Sequence, residues 1–306
     1  MKGHITDKKK KSEKKGAVKR IFLGALLIGI GALILGGCGS STEETQSEQE
    51  KTASAKKEDD KIQIGLTVDS FVIERWIRDR DVFVATAREM GADVNVQDAG
   101  ADAKEQISQI EYFISKQVDV IVVIARDCGA LSDVIQKAQN AGIPVISYDR
   151  MINNSNTNLY ISFDNRKVGE IMAQALIDAI PQGGDIFMIQ GSSTDNNVHM
   201  LKKGFDDVLK NSDLNVVYEA NCEGWMAELA EGYMEEALEK YPHVKGIMCG
   251  NDDIASQVVE VLAENQLAGD VIVVGQDGDL AACQRIVEGT QYMTAFKPIE
   301  DLAREA

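Results

Sequence analysis

The sequence has few of the residues and motifs on which catalytic and metal sites are usually built. Its 306 residues include only three histidines, His4, His199 and His243, which are isolated from one another and lack metal-ligand spacing. Neither a G-x-S-x-G nucleophile elbow nor a G-K-[ST] phosphate loop occurs. Asp195 and Asp277 could form a glycosidase pair, but their basic neighbours would keep both ionised and leave no general acid. We therefore predict that the protein is not an enzyme and has neither cofactor nor metal.

Positive charge is also scarce beyond the first 37 residues. The whole chain has a formal net charge of −17, while residues 1–37 carry nine Lys and Arg against two Asp and Glu, so the remainder has a net charge of −24. So acidic a chain is a poor partner for nucleic acid or for anionic lipid. Cysteines are few, and Cys128, Cys222, Cys249 and Cys283 show no C-x-x-C spacing, so the sequence assigns no disulfide.

The N-terminal segment has the features of an export signal. A lysine-rich stretch precedes the uncharged apolar run from Ile21 to Gly37, which is typical of a secretory signal. The ending Leu-Gly-Gly-Cys resembles the bacterial lipobox, so we predict that residues 1–37 are a lipoprotein signal peptide and that Cys38 is lipidated. An uncleaved N-terminal anchor is the alternative. Both place the remainder on the outer face of the cytoplasmic membrane, and residues 38–60, which have few apolar side chains, are predicted to be a disordered tether.

From Lys61 onward the pattern predicts an α/β fold. Short runs rich in valine and isoleucine alternate with stretches of helical periodicity, as in βαβ units around a parallel sheet. These runs predict ten strands, near residues 62–68, 93–97, 119–124, 143–147, 158–162, 185–190, 215–219, 245–249, 271–275 and 291–296. We predict two doubly wound parallel-sheet lobes joined by a hinge. The N-terminal lobe would span residues 61–163, the C-terminal lobe 164–294, and residues 295–306 would return toward the N-terminal lobe.

Polar side chains are concentrated where these predicted strands end. In doubly wound sheets, ligands bind beyond the carboxyl ends of the strands. A ligand site is therefore predicted from the strand-end residues Arg75, Trp76, Asp149, Arg150, Asp195, Asn197, Trp225, Asn251, Asp277 and Lys297. Helix capping is the alternative for any single member of this set, and we assign Asn165, Asp253 and Asp279 to capping or turns.

The composition of this set indicates what it could hold. The chain has only two tryptophans, Trp76 and Trp225, and one belongs to each predicted lobe. Core packing is the alternative role for each tryptophan. Arg75, Arg150 and Lys297 would be balanced by Asp149, Asp195 and Asp277, because charges gathered in a closing cleft must be paired. A balanced set favours a neutral ligand rich in hydroxyl groups, whereas an anion or a cation would call for a surplus of opposite charge.

Several stretches resemble a known family. They are IERWIRDRDVF, YDRMINN, YISFDNRKVGE, STDNN, GND, GQDGDLAACQRIVEGTQYMT and FKPI. They are similar to segments of the sugar-binding proteins of bacterial ABC importers, and in particular of the D-xylose binders, within the type I periplasmic binding protein family. The resemblance runs from about Lys61 to the end. It implies a pentose between Trp76 and Trp225, held by residues matching Arg75, Arg150, Asp195, Asn197, Asn251, Asp277 and Lys297, with Asp149 as a strand-end acid.

Two features depart from the family pattern. The stretch ARDCGA, residues 125–130, stands where a polar, glycine-containing loop is expected after the third strand. The chain also stops at Ala306, just inside the helix that follows Lys297-Pro298, where relatives continue. We therefore expect an altered wall of the site after the third strand and an incomplete C-terminus.

Together these patterns predict a lipid-anchored solute-binding protein that captures D-xylose or a related aldopyranose and delivers it to an ABC permease. A xylose sensor that docks on a membrane histidine kinase is the alternative. A repressor with the same core would need an N-terminal DNA-binding helix pair, and a signal and an acidic tether occupy that position instead.

Overall fold

A computed structural model describes residues 61–306. The predicted signal peptide, the lipidation site Cys38 and the tether of residues 38–60 lie outside the described residues. Within residues 61–306, no helix has both the length and the apolar character needed to cross a membrane.

The first lobe is built on a five-stranded sheet. Its strands are β1 (Gln63–Val68), β2 (Asp93–Asp98), β3 (Val120–Ile124), β4 (Val145–Tyr148) and β5 (Leu159–Ile161), in the spatial order β2-β1-β3-β4-β5. All neighbouring pairs are parallel. Strand β3 is a continuous apolar run whose last four residues are buried, as expected for a strand covered by helices on both faces. The helices between these strands are α1 (Arg75–Glu89), α2 (Ala103–Lys116) and α3 (Ser132–Asn140).

The second lobe repeats this architecture. Its strands are β6 (Gly184–Gln190), β7 (Leu214–Asn221), β8 (Gly246–Cys249), β9 (Ile272–Asp277) and β10 (Met293–Phe296), in the order β10-β9-β8-β6-β7. All of its pairs are also parallel. Its helices are α4 (Asn165–Ala179), α5 (Asn196–Leu209), a 3-10 helix (Glu223–Trp225), α6 (Leu229–Lys240), α7 (Asp252–Glu264) and α8 (Leu280–Glu288). The prediction of two parallel five-stranded lobes is thus confirmed.

Two glycines let helices α4 and α5 pack backbone to backbone. A Cβ atom at Gly169 would overlap the carbonyl of Leu201, and one at Gly204 would overlap the carbonyl of Arg166. This close approach joins the start of α4 to the middle of α5 and so fixes α5, whose N-terminal end carries two of the predicted site residues.

After β10 the chain returns to the first lobe. The last helix, α9 (Ile299–Glu305), packs against α1 and buries Ile299, Leu302 and Ala303. Lys297, between β10 and α9, is therefore held at the junction of the two lobes. Because every strand is parallel within its sheet, the carboxyl ends of each sheet lie at one edge, and the polar segments that follow them are brought together.

Candidate functional site

The ten predicted site residues line one pocket at the carboxyl ends of the two sheets. The first lobe contributes Arg75 and Trp76 from the start of α1, and Asp149 and Arg150 from the loop after β4. The second contributes Asp195 and Asn197 at the start of α5, Trp225, Asn251 after β8, and Asp277 at the end of β9. Lys297, after β10, lies at the junction of the two lobes. No more than 7% of any of these residues is exposed. Ile73 and Gln276, which sequence reasoning missed, complete the lining.

Arg75 forms the centre of one ionic cluster. Its Nη2 lies 2.8 Å from Asp149 Oδ1, its Nε 3.3 Å from Asp79 Oδ2, and its Nη1 3.7 Å from Asp277 Oδ1 across the lobe junction. Burial by itself would lower the pKa of Arg75, but these three carboxylates raise it well above its ordinary value. The Nδ2 of Asn197, from the second lobe, donates to Asp149 Oδ2 at 3.0 Å. Asp149 therefore joins the two lobes.

Arg150 forms the centre of a second cluster. Its Nη1 donates to Asp69 Oδ2 at 2.7 Å and to the carbonyl of Ala125 at 2.9 Å, and its Nε lies 2.8 Å from Asp195 Oδ2 in the other lobe. Asp195 Oδ2 also accepts a hydrogen bond from Trp225 Nε1 at 3.2 Å. Burial opposes the positive charge, but Asp195 and Asp69 more than offset it and raise the pKa of Arg150. A fully buried guanidinium thus spans the cleft.

The third cation, Lys297, pairs with Asp277. Its Nζ lies 3.2 Å from Asp277 Oδ1, and both side chains are about 5% exposed or less. The same ammonium lies 5.8 Å from the centre of the Phe163 ring, where the ring's negative face attracts it. Phe163 was not among the site residues predicted from the sequence.

The two tryptophans converge on one group. The guanidinium carbon of Arg150 lies 5.3 Å from the ring centre of Trp76 and 5.7 Å from that of Trp225. The indole of Trp225 lies directly over the backbone of Gly191, because a Cβ atom there would overlap the ring. The prediction that one indole from each lobe faces the same pocket therefore agrees with the geometry.

Two of the predicted residues also cap helices, so the capping alternative is part of their role. Asp195 accepts from the backbone N–H of Asn197 at 2.9 Å, at the start of α5. Asn251 Oδ1 accepts from the N–H of Ile254 at 2.9 Å, at the start of α7. Each cap uses one oxygen, and the remaining polar atom of each side chain stays on the pocket side of the helix terminus.

Four polar atoms in the pocket lack a hydrogen-bond partner among residues 61–306. They are Trp76 Nε1, Asn197 Oδ1, Gln276 Oε1 and Asp277 Oδ1. The last lies within ion-pair distance of Lys297 Nζ without the geometry of a hydrogen bond. Buried polar atoms are nearly always paired in folded proteins, and an unpaired one costs about 1–3 kcal/mol. One donor and three acceptors suit a ligand with several hydroxyl groups, since each hydroxyl both donates and accepts.

Backbone strain is concentrated in the same pocket. Asp149, Trp225 and Asp277 have φ angles of 61°, 59° and 103°, a region that non-glycine residues seldom occupy. Strain of this kind persists where surrounding contacts fix it, most often at functional sites. All three residues line the pocket, and nothing in the sequence reveals their backbone strain.

The charge balance inferred from the sequence was incomplete. Asp69 and Asp79 are 1% exposed, and they hold the pocket arginines from behind. The Tyr148 hydroxyl donates to Asp79 Oδ1 at 2.5 Å, and burial raises the pKa of Asp79 despite Arg75. Asp69 directly follows the first strand, and Asp79 stands four residues after Arg75 on the same helix face. These positions in the sequence could have identified Asp69 and Asp79 as partners of the pocket arginines.

Asp279, which the sequence assigned to capping or a turn, does not cap α8 with its side chain. It precedes α8, but its side chain makes no cap hydrogen bond; it pairs instead with Arg78 of the first lobe. Burial, with repulsion from Asp277, Asp252 and Asp253, raises the pKa of Asp279 to about 7. Asp279 pairs with Arg78 because Arg78 of α1 faces Asp279 across the cleft.

The raised pKa of Asp279 makes stability depend on pH. The folded protein holds this proton more tightly than the unfolded chain, so its contribution is complete below pH ~4 and is lost as the pH rises to about 7. We expect the Tm of Asp279→Asn, measured relative to wild type by calorimetry, to rise by about 5 °C between pH 5 and pH 8. Asp207→Asn is the control, because its neighbouring lysines lower the pKa of that carboxyl to about 2 and it is ionised at both pH values. Parallel pH profiles for Asp279→Asn and wild type would contradict this assignment.

Comparison with known proteins agrees with this architecture. A family model described as periplasmic binding protein domain matches residues 64–306. The D-xylose-binding periplasmic protein of Haemophilus influenzae is 42% identical over 250 residues, covering 80% of this chain and 75% of that protein. The protein of the same description from Escherichia coli K12 is also 42% identical over 250 residues, covering 80% and 76%.

Solved structures share the fold. The solute-binding protein of an ABC transporter from Actinobacillus succinogenes, with bound D-allose, is 27% identical with a TM-score of 0.74 and covers 80% of this chain and 88% of its own. That from Clostridium phytofermentans, with bound β-D-glucose, is 28% identical with a TM-score of 0.73, covering 79% and 81%. The curated relatives are periplasmic binding proteins rather than enzymes, in agreement with the prediction from the sequence. The chain belongs to the periplasmic binding protein family.

Proposed function

We propose that the protein captures a neutral monosaccharide, D-xylose, in the pocket between its lobes and delivers it to an ABC permease. The observation that carries the proposal is the convergence of ten buried side chains from both lobes on one pocket in which four polar atoms have no partner among the described residues. We infer the monosaccharide and the permease from the relatives. Two proteins 42% identical to this chain are described as D-xylose-binding, and the structural matches are described as ABC transporter proteins.

The charge arrangement argues against an anionic ligand. Each pocket cation already contacts at least one carboxylate within 3.2 Å, so none is left to neutralise an anion. Hydrogen bonds between such charged groups and hydroxyls contribute roughly 1.5–3 kcal/mol each, so a few of them give micromolar binding, about 8 kcal/mol. The flat indole faces cover the C–H side of a sugar ring.

Cross-lobe contacts support closure around the sugar. Arg150–Asp195, Arg75–Asp277 and Asn197–Asp149 each join the first lobe to the second. A hinge motion that brings the lobes together assembles these pairs, and a ligand that contacts both lobes favours the closed state. Attachment of the protein to the membrane through Cys38 is part of the proposal and depends on the lipobox-like ending of residues 35–38.

Isothermal titration calorimetry against D-xylose, D-glucose, D-ribose and L-arabinose tests the proposal. We expect one D-xylose per protein with a dissociation constant in the micromolar range or below, and weaker binding of sugars that lack a matching hydroxyl, because each such sugar leaves a buried group unpaired. An absence of heat with all four sugars would overturn the assignment.

A further inference from the structure

Arg126 belongs to the stretch ARDCGA, where the sequence predicted an altered wall of the site, and it does not line the pocket. Its backbone is fixed at the end of β3, where the N–H of Arg126 donates to Gln106 Oε1 at 2.8 Å. Gln106 is fully buried and donates in turn to the carbonyl of Ile124 at 2.9 Å. The side chain of Arg126 is 20% exposed. It therefore extends from a fixed backbone into a partly enclosed space.

The guanidinium reaches the other lobe. Nη1 of Arg126 donates to the carbonyl of Gly224 at 3.0 Å and lies 3.3 Å from Asp69 Oδ1. The second oxygen of Asp69 accepts from Arg150 at 2.7 Å. One buried carboxylate therefore serves two arginines: Arg150, which lines the pocket, and Arg126, which crosses the lobe junction beside it.

The accepting segment is the strained turn that carries Trp225. Gly224 and Trp225 have φ angles of 66° and 59°, so two consecutive residues lie in the left-handed region. Left-handed backbone is unfavourable for a tryptophan unless its surroundings hold it. A Cβ atom at position 224 would overlap the Arg126 guanidinium, so the glycine also leaves room for this contact.

We propose that Arg126 is a positioning residue for Trp225: anchored by Asp69, it holds the 222–226 turn of the second lobe against the first lobe and so fixes the indole wall of the closed cleft. This inference rests on the proposed sugar site for its functional meaning, but not for its geometry. Because the contact joins one lobe to the other, we expect its loss to speed ligand release and to leave ligand entry unchanged.

The experiment uses the fact that Trp76 and Trp225 are the only tryptophans in the chain. In a Trp76→Phe background, the emission comes from Trp225 alone. Acrylamide quenching is measured for this background and for its Arg126→Gln and Arg166→Gln derivatives, without sugar and with 10 mM D-xylose. Arg166 is the matched control, since its replacement makes the same charge change at a side chain that is 53% exposed and that pairs with Glu170 and Asp207.

We expect Arg126→Gln to raise the Stern–Volmer constant at least twofold in one or both conditions and Arg166→Gln to leave it unchanged. Stopped-flow fluorescence with Trp76 retained should then show D-xylose leaving Arg126→Gln about tenfold faster than wild type, with the association rate unchanged.

A purely structural role would lower the Tm and slow association instead, and that result overturns the proposal. Equal quenching in the two derivatives also overturns it. If wild type binds no sugar, the proposed function fails, while the quenching comparison without sugar still decides the role of Arg126.

Discussion

Replacing Arg150 by methionine is expected to abolish measurable D-xylose binding and to lower the stability of the protein. The side chain of Arg150 is among the largest of the fully buried ones, and it holds Asp69 in one lobe and Asp195 in the other. Methionine fills similar volume but leaves two buried carboxylates without their cation. Breaking a buried pair in this way costs about 3–5 kcal/mol of folding free energy. The same change removes a pocket cation that joins the two lobes, so we also expect the affinity for D-xylose to fall by about a hundredfold or more.

Calorimetric titration and thermal unfolding measure these two effects. Arg150→Lys separates loss of binding from loss of folding, because lysine keeps the charge near Asp69 while it cannot also reach Asp195 with the geometry of a guanidinium. We expect Arg150→Lys to fold normally and to bind at least tenfold more weakly than wild type. Arg166→Met, at an exposed site in the second lobe, should match wild type in both measurements. Wild-type affinity in Arg150→Lys and Arg150→Met would show that this arginine is only a structural counter-ion.

Replacing Asp277 by asparagine is expected to weaken D-xylose binding at least tenfold and to lower the Tm, because the buried Lys297 loses its carboxylate partner. Asp277 ends β9 with φ 103°, and asparagine tolerates positive φ better than most residues. The substitution keeps the shape of the side chain but removes the charge that faces Lys297 at 3.2 Å and Arg75 at 3.7 Å. It also changes Oδ1, an acceptor with no hydrogen-bond partner in residues 61–306. A hydrogen bond to a charged group contributes roughly 1.5–3 kcal/mol, which sets the expected loss.

Asp270→Asn is the matched control for this variant. Asp270 is exposed in the same lobe, just before β9, so its amide variant should bind D-xylose as wild type does. Titration of the three proteins side by side gives the comparison. An Asp277→Asn protein with wild-type affinity would mean that the carboxylate only terminates its strand.

The positions of the site residues could be predicted from sequence because they follow from a rule of topology. Parallel strands end at a common edge of their own sheet, so Arg150 after β4 was placed at the ligand-binding edge of one lobe and Asp277, at the end of β9, at that of the other. The two tryptophans could be chosen because so few occur in the chain. The continuous apolar runs, such as β3, made the strands themselves easy to place.

The partners behind the pocket could not be predicted in the same way. Asp69 and Arg150 are 81 residues apart in the chain, and no local pattern indicates that the first holds the second. Aspartate is a common helix cap, but the side chain of Asp279 pairs with Arg78 of the other lobe instead. The sequence predicted an altered wall of the site at residues 125–130. Only the structure shows that Arg126 in this stretch contacts Gly224, 98 residues further along the chain.

The central claim is that paired charges and two indole rings from separate lobes capture a neutral sugar. The most direct test is the titration of the purified protein with D-xylose, repeated at low and at high ionic strength. We predict saturable binding of one sugar per protein, with a dissociation constant that does not change with salt, because the ligand is uncharged and the pocket charges are buried and already paired. No binding at either ionic strength, or an affinity that falls steeply as salt is added, would show that the pocket does not bind a neutral sugar in this way.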